Sequence, residues 1–448
     1  MRGHLKGRRP RLAYIDAVEG STSLRIGGQA ALRELRRQFD VRHVVAIDPP
    51  SRGQQWLARL SGTTRDPAVF LYLANYLDRA TYLAPEVTAD RLRVHFVGWE
   101  IEQIPRAMLT ELKTADVVLA TSDFVAGVFR AHLPETPVIA TKALPGLPKQ
   151  VNGDRSRWSL PPDKVIFLSI FDPGSGFDRK NPIDTFRAFV DAFPGRDDVR
   201  LVFKVHGKLE AMSQATGQSH EAARASEFLA ECTADSRVIL INEFMSYADV
   251  MALVASCDVY VSLARAEGIG LPVLEAMTLG VPTICSAYSG HLDFANAESA
   301  MLVPCTVVDI PADASHHYDP QAYDDTPQWA QPDLRQAAEF MVRLASDAGA
   351  RRALGVKGAE QSADYRALCA QSEWVEDLAD ALASDHVEDR HAQRQLEFER
   401  WSRAETKKWS NHDRRVSRAR RNLRVRTLAG RAKRALLLRG RPRIGRDR

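Results

Sequence analysis

Nine residues, Glu267-Gly-Ile-Gly-Leu-Pro-Val-Leu-Glu275, combine two carboxylates, a glycine turn and a proline. Upstream, Asp258-Val-Tyr-Val-Ser-Leu263 is a short β-branched run suited to a buried strand, and downstream Leu274-Glu-Ala-Met-Thr-Leu279 has helical composition. The segment therefore reads strand, loop, helix. Gly268 and Gly270 let the loop turn tightly and approach a ligand, while Pro272 suits the first helical position, where its missing N–H costs nothing. The N–H groups from Gly268 through Ile269 and Gly270 to Leu271 then face whatever occupies the loop. A helix N-terminus offers unpaired donors and a positive dipole, which suit a diphosphate. Glu267, before the turn, and Glu275, expected in the first helical turn, repel phosphate but accept hydrogen bonds from hydroxyls. Acids flanking a phosphate cradle point to a nucleoside-diphosphate sugar, with one acid on a hexose and the other on the ribose. The plainer alternative is a solvent-facing loop acid and a helix-terminal acid that complements the dipole.

The elements around this segment have a parallel-sheet rhythm. Strands are expected at Leu12–Asp16, Val41–Ile47, Val69–Leu73, Val94–Val97, Val117–Ala120 and Val138–Ala140. A Pro-rich, charged stretch from Ala143 to Pro162 reads as a linker. The rhythm restarts at Val165–Phe171, Arg200–Val205, Val238–Ile241, Val259–Val261, Thr283–Cys285 and Ala300–Val303. A chain of 448 residues is too long for one ordinary core and suits two α/β domains with an extension. The expected division is residues 1–150, a linker at 151–160, a second domain at 161–370, helices at 371–400 packing back on the first domain, and a tail at 401–448. Gly27 and Gly28 are placed in the loop between the first strand and a helix starting at Gln29, where glycine permits close approach to a ligand and is equally ordinary turn chemistry.

The Glu267 to Glu275 spacing resembles the E-x7-E motif of the family 4 retaining glycosyltransferases, in their bacterial group 1 branch. Gly280-Val-Pro-Thr-Ile-Cys-Ser-Ala-Tyr-Ser-Gly-His-Leu-Asp-Phe294 is similar to that family's next strand and loop, and Arg179-Lys-Asn-Pro182 with Phe186-Arg-Ala-Phe189 to its basic phosphate-contacting segment. Trp99-Glu100 with Pro105, then Asp116 to Phe124, looks like a pattern of the N-terminal domain. The likeness spans about residues 11 to 365. It implies the GT-B architecture, two Rossmann-like parallel-sheet domains facing a cleft, and transfer of a hexose from a nucleoside diphosphate with retention. Glu267 would orient the hexose and Glu275 the ribose. Lys180, with Arg179 and Lys204 as further candidates, would stabilise charge on the leaving diphosphate, although each cation could equally be a solvated surface group. Asn242 and Glu243 would border the base, and Gly27, Gly28, Trp99 and Glu100 the acceptor side. The family's Gly-Arg after the first C-domain strand is replaced here by Ser169-Ile170, and its hydrophilic sugar-pocket residue by Ala264. A non-catalytic scaffold or a sugar-nucleotide epimerase on the same fold remains an alternative.

No D-x-D at a strand end is found, so neither metal nor other cofactor is expected. The five cysteines lack C-x-x-C spacing and read as reduced core residues, and no apolar run approaches a bilayer span. The expectation is a cytoplasmic protein, peripheral on the inner face of the cell membrane. That placement comes from residues 401–448, which hold 18 Lys/Arg against 3 Asp/Glu, while the other 400 residues hold 43 basic and 54 acidic. Val416, Ala419, Leu423, Leu428 and Leu436 lie among the arginines. This basic extension, helical or disordered, suits an anionic membrane surface carrying a lipid-linked or polysaccharide acceptor, ahead of nucleic acid. A solubilising, partner-binding extension is the bland reading.

Overall fold

The structure is a computed structural model that describes residues 11–17, 22–46, 69–73, 92–148, 150–206, 209, 220–314, 318–393, 395–396 and 400. The chain divides into two compact units, Met1–Glu388 and Asp389–Arg448. The second unit includes the whole basic tail, residues 401–448, which lie outside the described residues.

Two parallel sheets of six strands dominate the first unit. One contains β1 (Arg11–Ala17), β2 (Asp40–Ala46), β3 (Val69–Leu73), β4 (Arg93–Val97), β5 (Val117–Ala120) and β6 (Val138–Ala140), in the order β2-β1-β3-β4-β5-β6. The second contains β7 (Val165–Phe171), β8 (Val199–Val205), β9 (Val238–Asn242), β10 (Val259–Ser262), β11 (Thr283–Ser286) and β12 (Met301–Val303), in the order β12-β11-β10-β7-β8-β9. Every expected strand forms, because short β-branched and aromatic runs bounded by polar turns are stable when both faces of a parallel sheet are covered. In each sheet the order reverses beside the first strand, which leaves a crevice at the strand C-termini.

The helices are α1 (Thr22–Leu35), α2 (Arg106–Leu112), α3 (Asp123–His132), α4 (Phe177–Lys180), α5 (Pro182–Ala192), α6 (His220–Ala234), α7 (Tyr247–Ala255), α8 (Leu271–Thr278), α9 (Leu334–Ser346), α10 (Ala348–Ala370) and α11 (Glu373–Leu382). One face of the second sheet packs Phe167, Phe171 and Phe203 against Phe177, Phe189, Phe193 and Phe228. Edge-to-face contacts such as Phe203–Phe228, at 4.9 Å between centroids, tie β8 to α6. On the first sheet, Trp374, Val375, Leu378 and Leu382 of α11 pack with Leu12, Leu35, Phe96 and Leu119, so the chain returns from the second sheet to the first. Trp374 Nε1 donates to Glu34 at 2.5 Å, and Arg37 donates to Ser372 Oγ at 2.8 Å.

Two placements differ from the sequence reading. Gly27 and Gly28 do not lie in a loop before Gln29 but inside α1, which starts at Thr22. Each glycine disfavours the helix by about 1 kcal/mol relative to alanine, but burial of Ala30, Ala31, Leu32 and Leu35 outweighs that cost. The polar segment after β12 also contains an unanticipated antiparallel pair, β13 (Cys305–Asp309) with β14 (Gln328–Pro332). Its apolar side chains, Ile310, Tyr318, Tyr323 and Trp329, are too sparse to show a strand period, yet they cluster with Ala266 and with Ile101 of the first sheet's side.

Candidate active site

Two loops at the C-terminal end of the second sheet make the site. After β7 the chain forms a short 3-10 turn and then α4, which carries Arg179 and Lys180. Asn181 ends that turn with φ 55°, a left-handed conformation that asparagine tolerates, and Pro182 opens α5. The Asn181 side chain is buried and donates to the Leu263 carbonyl at 2.9 Å. Arg265, buried between Ala264 and Ala266, fixes the turn more firmly. Its N–H donates to the Arg179 carbonyl at 2.8 Å, while its guanidinium donates to the Asp178 carbonyl and to Asp184 and lies over the Trp329 ring. Sequence reading passed over Arg265, although an arginine between two alanines just after a buried strand is the available signal.

The second loop brings Glu267 to those cations. Lys180 Nζ lies 2.5 Å from Glu267 Oε1, and Arg179 lies 3.4 Å from Oε2. Arg179 also donates to the Ala266 carbonyl at 2.8 Å and lies 3.5 Å from Glu100, so the Trp99-Glu100 segment of the first sheet reaches the same cluster. Burial pushes the Glu267 carboxyl upward, but Lys180 and then Arg179 outweigh it and hold the pKa down to about 2. Burial disfavours the charge on Arg179, yet Glu100, Tyr318 and Glu267 raise its pKa above the usual value. The cluster is therefore a half-buried, ionised carboxylate with two cations held against it.

The turn after Glu267 leads straight into α8. Gly270 caps the helix at φ 84°, and among the described residues the N–H groups of Gly268, Ile269, Gly270 and Leu271 meet no hydrogen-bond acceptor. Those are the open donors of a helix start, pointed where an anion can lie. An alanine Cβ at Gly270 would overlap the His291 ring and force a disfavoured φ. Gly270→Ala is expected to lower the melting temperature, through a backbone cost of about 1–2 kcal/mol plus the overlap. Gly127→Ala, inside α3 with nothing within 4 Å of the new Cβ, should instead stabilise by about 0.5–1 kcal/mol. Thermal melts and calorimetry on both variants check the pair.

The first sheet's loops sit directly on this turn. Ser122 Oγ donates to the Gly268 carbonyl at 2.5 Å while capping α3, and the Trp99 carbonyl lies over Gly268. The Phe124 N–H donates to both oxygens of Asp293 at 3.2 Å, and burial raises that carboxyl to about 6. Farther along, Ile101 packs with Ala266, Tyr318 and Trp329, and the Trp99 and Tyr318 rings meet edge to face at 6.4 Å. The two sides thus meet through apolar packing at the Ile101 end and through Ser122 and the Trp99 carbonyl at Gly268.

Other expected residues lie apart from the Glu267 cluster. Glu275 is the fifth residue of α8 rather than a first-turn acid, because the helix starts at Leu271, one residue before the expected Pro272, directly after the left-handed Gly270. It is 6% exposed, accepts from Tyr247 Oη at 2.8 Å, and is raised to about 7 by burial, against the pull of Tyr247 and Arg366. Lys204 is 2% exposed and donates to the carbonyls of Val205 and Glu243 at 2.7 and 2.8 Å, clipping the ends of β8 and β9 together. Burial lowers its pKa. Asn242 ends β9 and Glu243 follows it, exposed beside Phe244, which is 64% exposed. Gly27 and Gly28, in α1, are not part of the loop assigned to them. Among the described residues no three His, Cys, Asp or Glu side chains are grouped to hold a metal ion. The five cysteines are free.

Several known proteins resemble this arrangement. Residues 174–312, which carry both loops of the site, match the family described as Glycosyl transferases group 1. Over 215 residues, 45% of this chain, the sequence is 24% identical to the serotype-specific mannosyltransferase WbdA of Escherichia coli, and the match spans 24% of that relative's length. Among solved structures, sucrose-phosphate synthase from Thermosynechococcus elongatus superimposes with a TM-score of 0.58 at 17% identity, covering 84% of this chain and 100% of that one. Anabaena Alr3699/HepE, solved in complex with UDP-glucose, does so with a TM-score of 0.56 at 13% identity, covering 83% and 99%. Two Rossmann-like parallel sheets give this chain the GT-B fold of those structures, and its match to the Glycosyl transferases group 1 family falls on residues 174–312, the loops that carry Lys180 and Glu267.

Proposed function

We propose that this chain transfers a hexose from a nucleoside diphosphate to a glycan or lipid-linked acceptor in cell-surface polysaccharide synthesis, with retention at the anomeric carbon. The observation that carries the reading is the ionised Glu267 between Lys180 and Arg179, next to a helix start whose N–H groups are open. The diphosphate lies on those N–H groups and takes the Lys180 ammonium from Glu267, which frees the carboxylate to accept from hexose hydroxyls. As the bond to the diphosphate breaks, Lys180 and Arg179 stabilise the negative charge that develops, and the leaving oxygen takes the acceptor's proton. Closure of Trp99 and Ser122 over Gly268 excludes water and limits donor hydrolysis. Helix N–H groups and the two cations serve as the diphosphate's counter-charge without a divalent ion.

Calorimetric titration with a panel of nucleoside-diphosphate sugars, mannose and glucose donors first, tests the reading. Binding that survives EDTA supports it; no binding to any member of the panel sinks it. Among the described residues no helix is long and apolar enough to cross a membrane. Attachment to an anionic membrane surface is assigned to the basic residues after 400. Co-sedimentation with anionic but not neutral vesicles, abolished by truncation at residue 400, is the result expected of that assignment, and equal binding to both vesicles is the result against it.

A further inference from the structure

The imidazole of His291 has no role in the transfer itself, yet it is 1% exposed and lies directly against the donor turn, where a Cβ on Gly270 would meet its Cδ2 and Nε2. Its Nδ1 is 3.1 Å from the Ser286 carbonyl oxygen. A carbonyl only accepts, so the proton of the neutral ring sits on Nδ1 and Nε2 presents a bare lone pair. Among the described residues that lone pair meets no donor. Burial disfavours the charged ring more than Glu267 and the Ser286 bond favour it, and Lys180 disfavours it further, which keeps the imidazole neutral. A buried acceptor without a donor costs free energy, and such groups in folded proteins ordinarily have a reason in ligand or water. The neighbouring Glu267 is itself an acceptor and cannot satisfy it.

We propose that Nε2 of His291 accepts a hydrogen bond from a hydroxyl of the transferred sugar, which makes His291 a residue of donor recognition alongside Glu267. This rests on the sugar-nucleotide reading of the site. The ligand atom is a hydroxyl because a bare lone pair repels phosphate oxygens and needs an O–H or N–H. It belongs to the transferred sugar because His291 shares its surroundings with Glu267, whereas Glu275 is engaged by Tyr247 on another helix. Its place one residue after the Ser289-Gly290 turn, whose Gly290 N–H donates to the Glu267 carbonyl at 3.0 Å, is what carries His291 to the site.

Two substitutions separate the nitrogens. His291→Asn retains an amide N–H near the Nδ1 position for Ser286 and removes the Nε2 acceptor, whereas His291→Gln sets an amide oxygen near the Nε2 position. Calorimetry with a nucleoside-diphosphate hexose and with the matching nucleoside diphosphate reads each. The expected result is about tenfold weaker hexose-nucleotide binding in His291→Asn, an unchanged Kd for the nucleoside diphosphate, and partial recovery in His291→Gln. Equal weakening for both ligands would show that the ring only supports the turn and overturns the proposal, as would unchanged hexose-nucleotide binding in His291→Asn. Failure of the unsubstituted protein to bind any sugar nucleotide defeats the functional reading itself, and this inference with it.

Discussion

Lys180→Met is expected to lower kcat for hexose transfer by about 10²–10³-fold, since a preorganised cation at developing negative charge is worth that much when removed. The loss should fall on kcat more than on donor affinity, because the open N–H groups of the α8 turn continue to bind the diphosphate in the ground state. Arg179 remains 3.4 Å from Glu267 and keeps that carboxylate paired, so the melting temperature should change little. Glu267→Ala behaves differently. It leaves Lys180 and Arg179 partly buried beside each other, and breaking a buried pair from one side costs about 3–5 kcal/mol, so activity and stability should fall together. Steady-state kinetics with melts on both variants decide the matter. A Lys180→Met enzyme with unchanged kcat would remove the ammonium from the chemistry.

Glu275→Gln is expected to raise the melting temperature at pH 8 and to leave it nearly unchanged at pH 5. The carboxyl is raised to about 7 from its ordinary 4.5 by burial, so folding favours its protonated form. Stability from that preference is fully present below about pH 4.5 and disappears as pH rises through about 7. At pH 8 the folded protein therefore holds a buried charge, a cost of roughly 3 kcal/mol from the size of the shift, which glutamine removes while still accepting from Tyr247. If Glu275 also receives the ribose hydroxyls, the same variant binds the donor more weakly, so stability and affinity move in opposite directions. Melts from pH 5 to pH 8 give the test, and a stability gain of equal size at both ends would mean that charge burial is not its cause.

The strands and the donor turn were readable because their signals are local. Runs such as Val165–Phe171 and Val117–Ala120 are long enough in β-branched and aromatic residues to be identified alone, and Gly268, Gly270 and Pro272 mark a helix start by backbone geometry. The glycine pair at 27 and 28 misled because turn chemistry and a packed helix interior use the same residue, and only burial of Ala30 to Leu35 distinguishes them. The β13–β14 pair was invisible because its strands lie eighteen residues apart with a polar stretch between them.

Sequence by itself determined the element order, the resemblance of the second sheet's loops to a known family, and the residue types able to grip a diphosphate, since each is written in spacing within a few positions. Tertiary structure decided partnership. It joined Lys180 to Glu267 across 87 positions, brought Ser122 onto Gly268 across 146, set Glu275 against Tyr247 and Lys204 against two strand-end carbonyls, and put the bare nitrogen of His291 beneath the turn. The physical reason is that hydrogen bonds and ion pairs act over a few ångströms of space, and the distance along the chain between partners is fixed only when the sheets and helices pack.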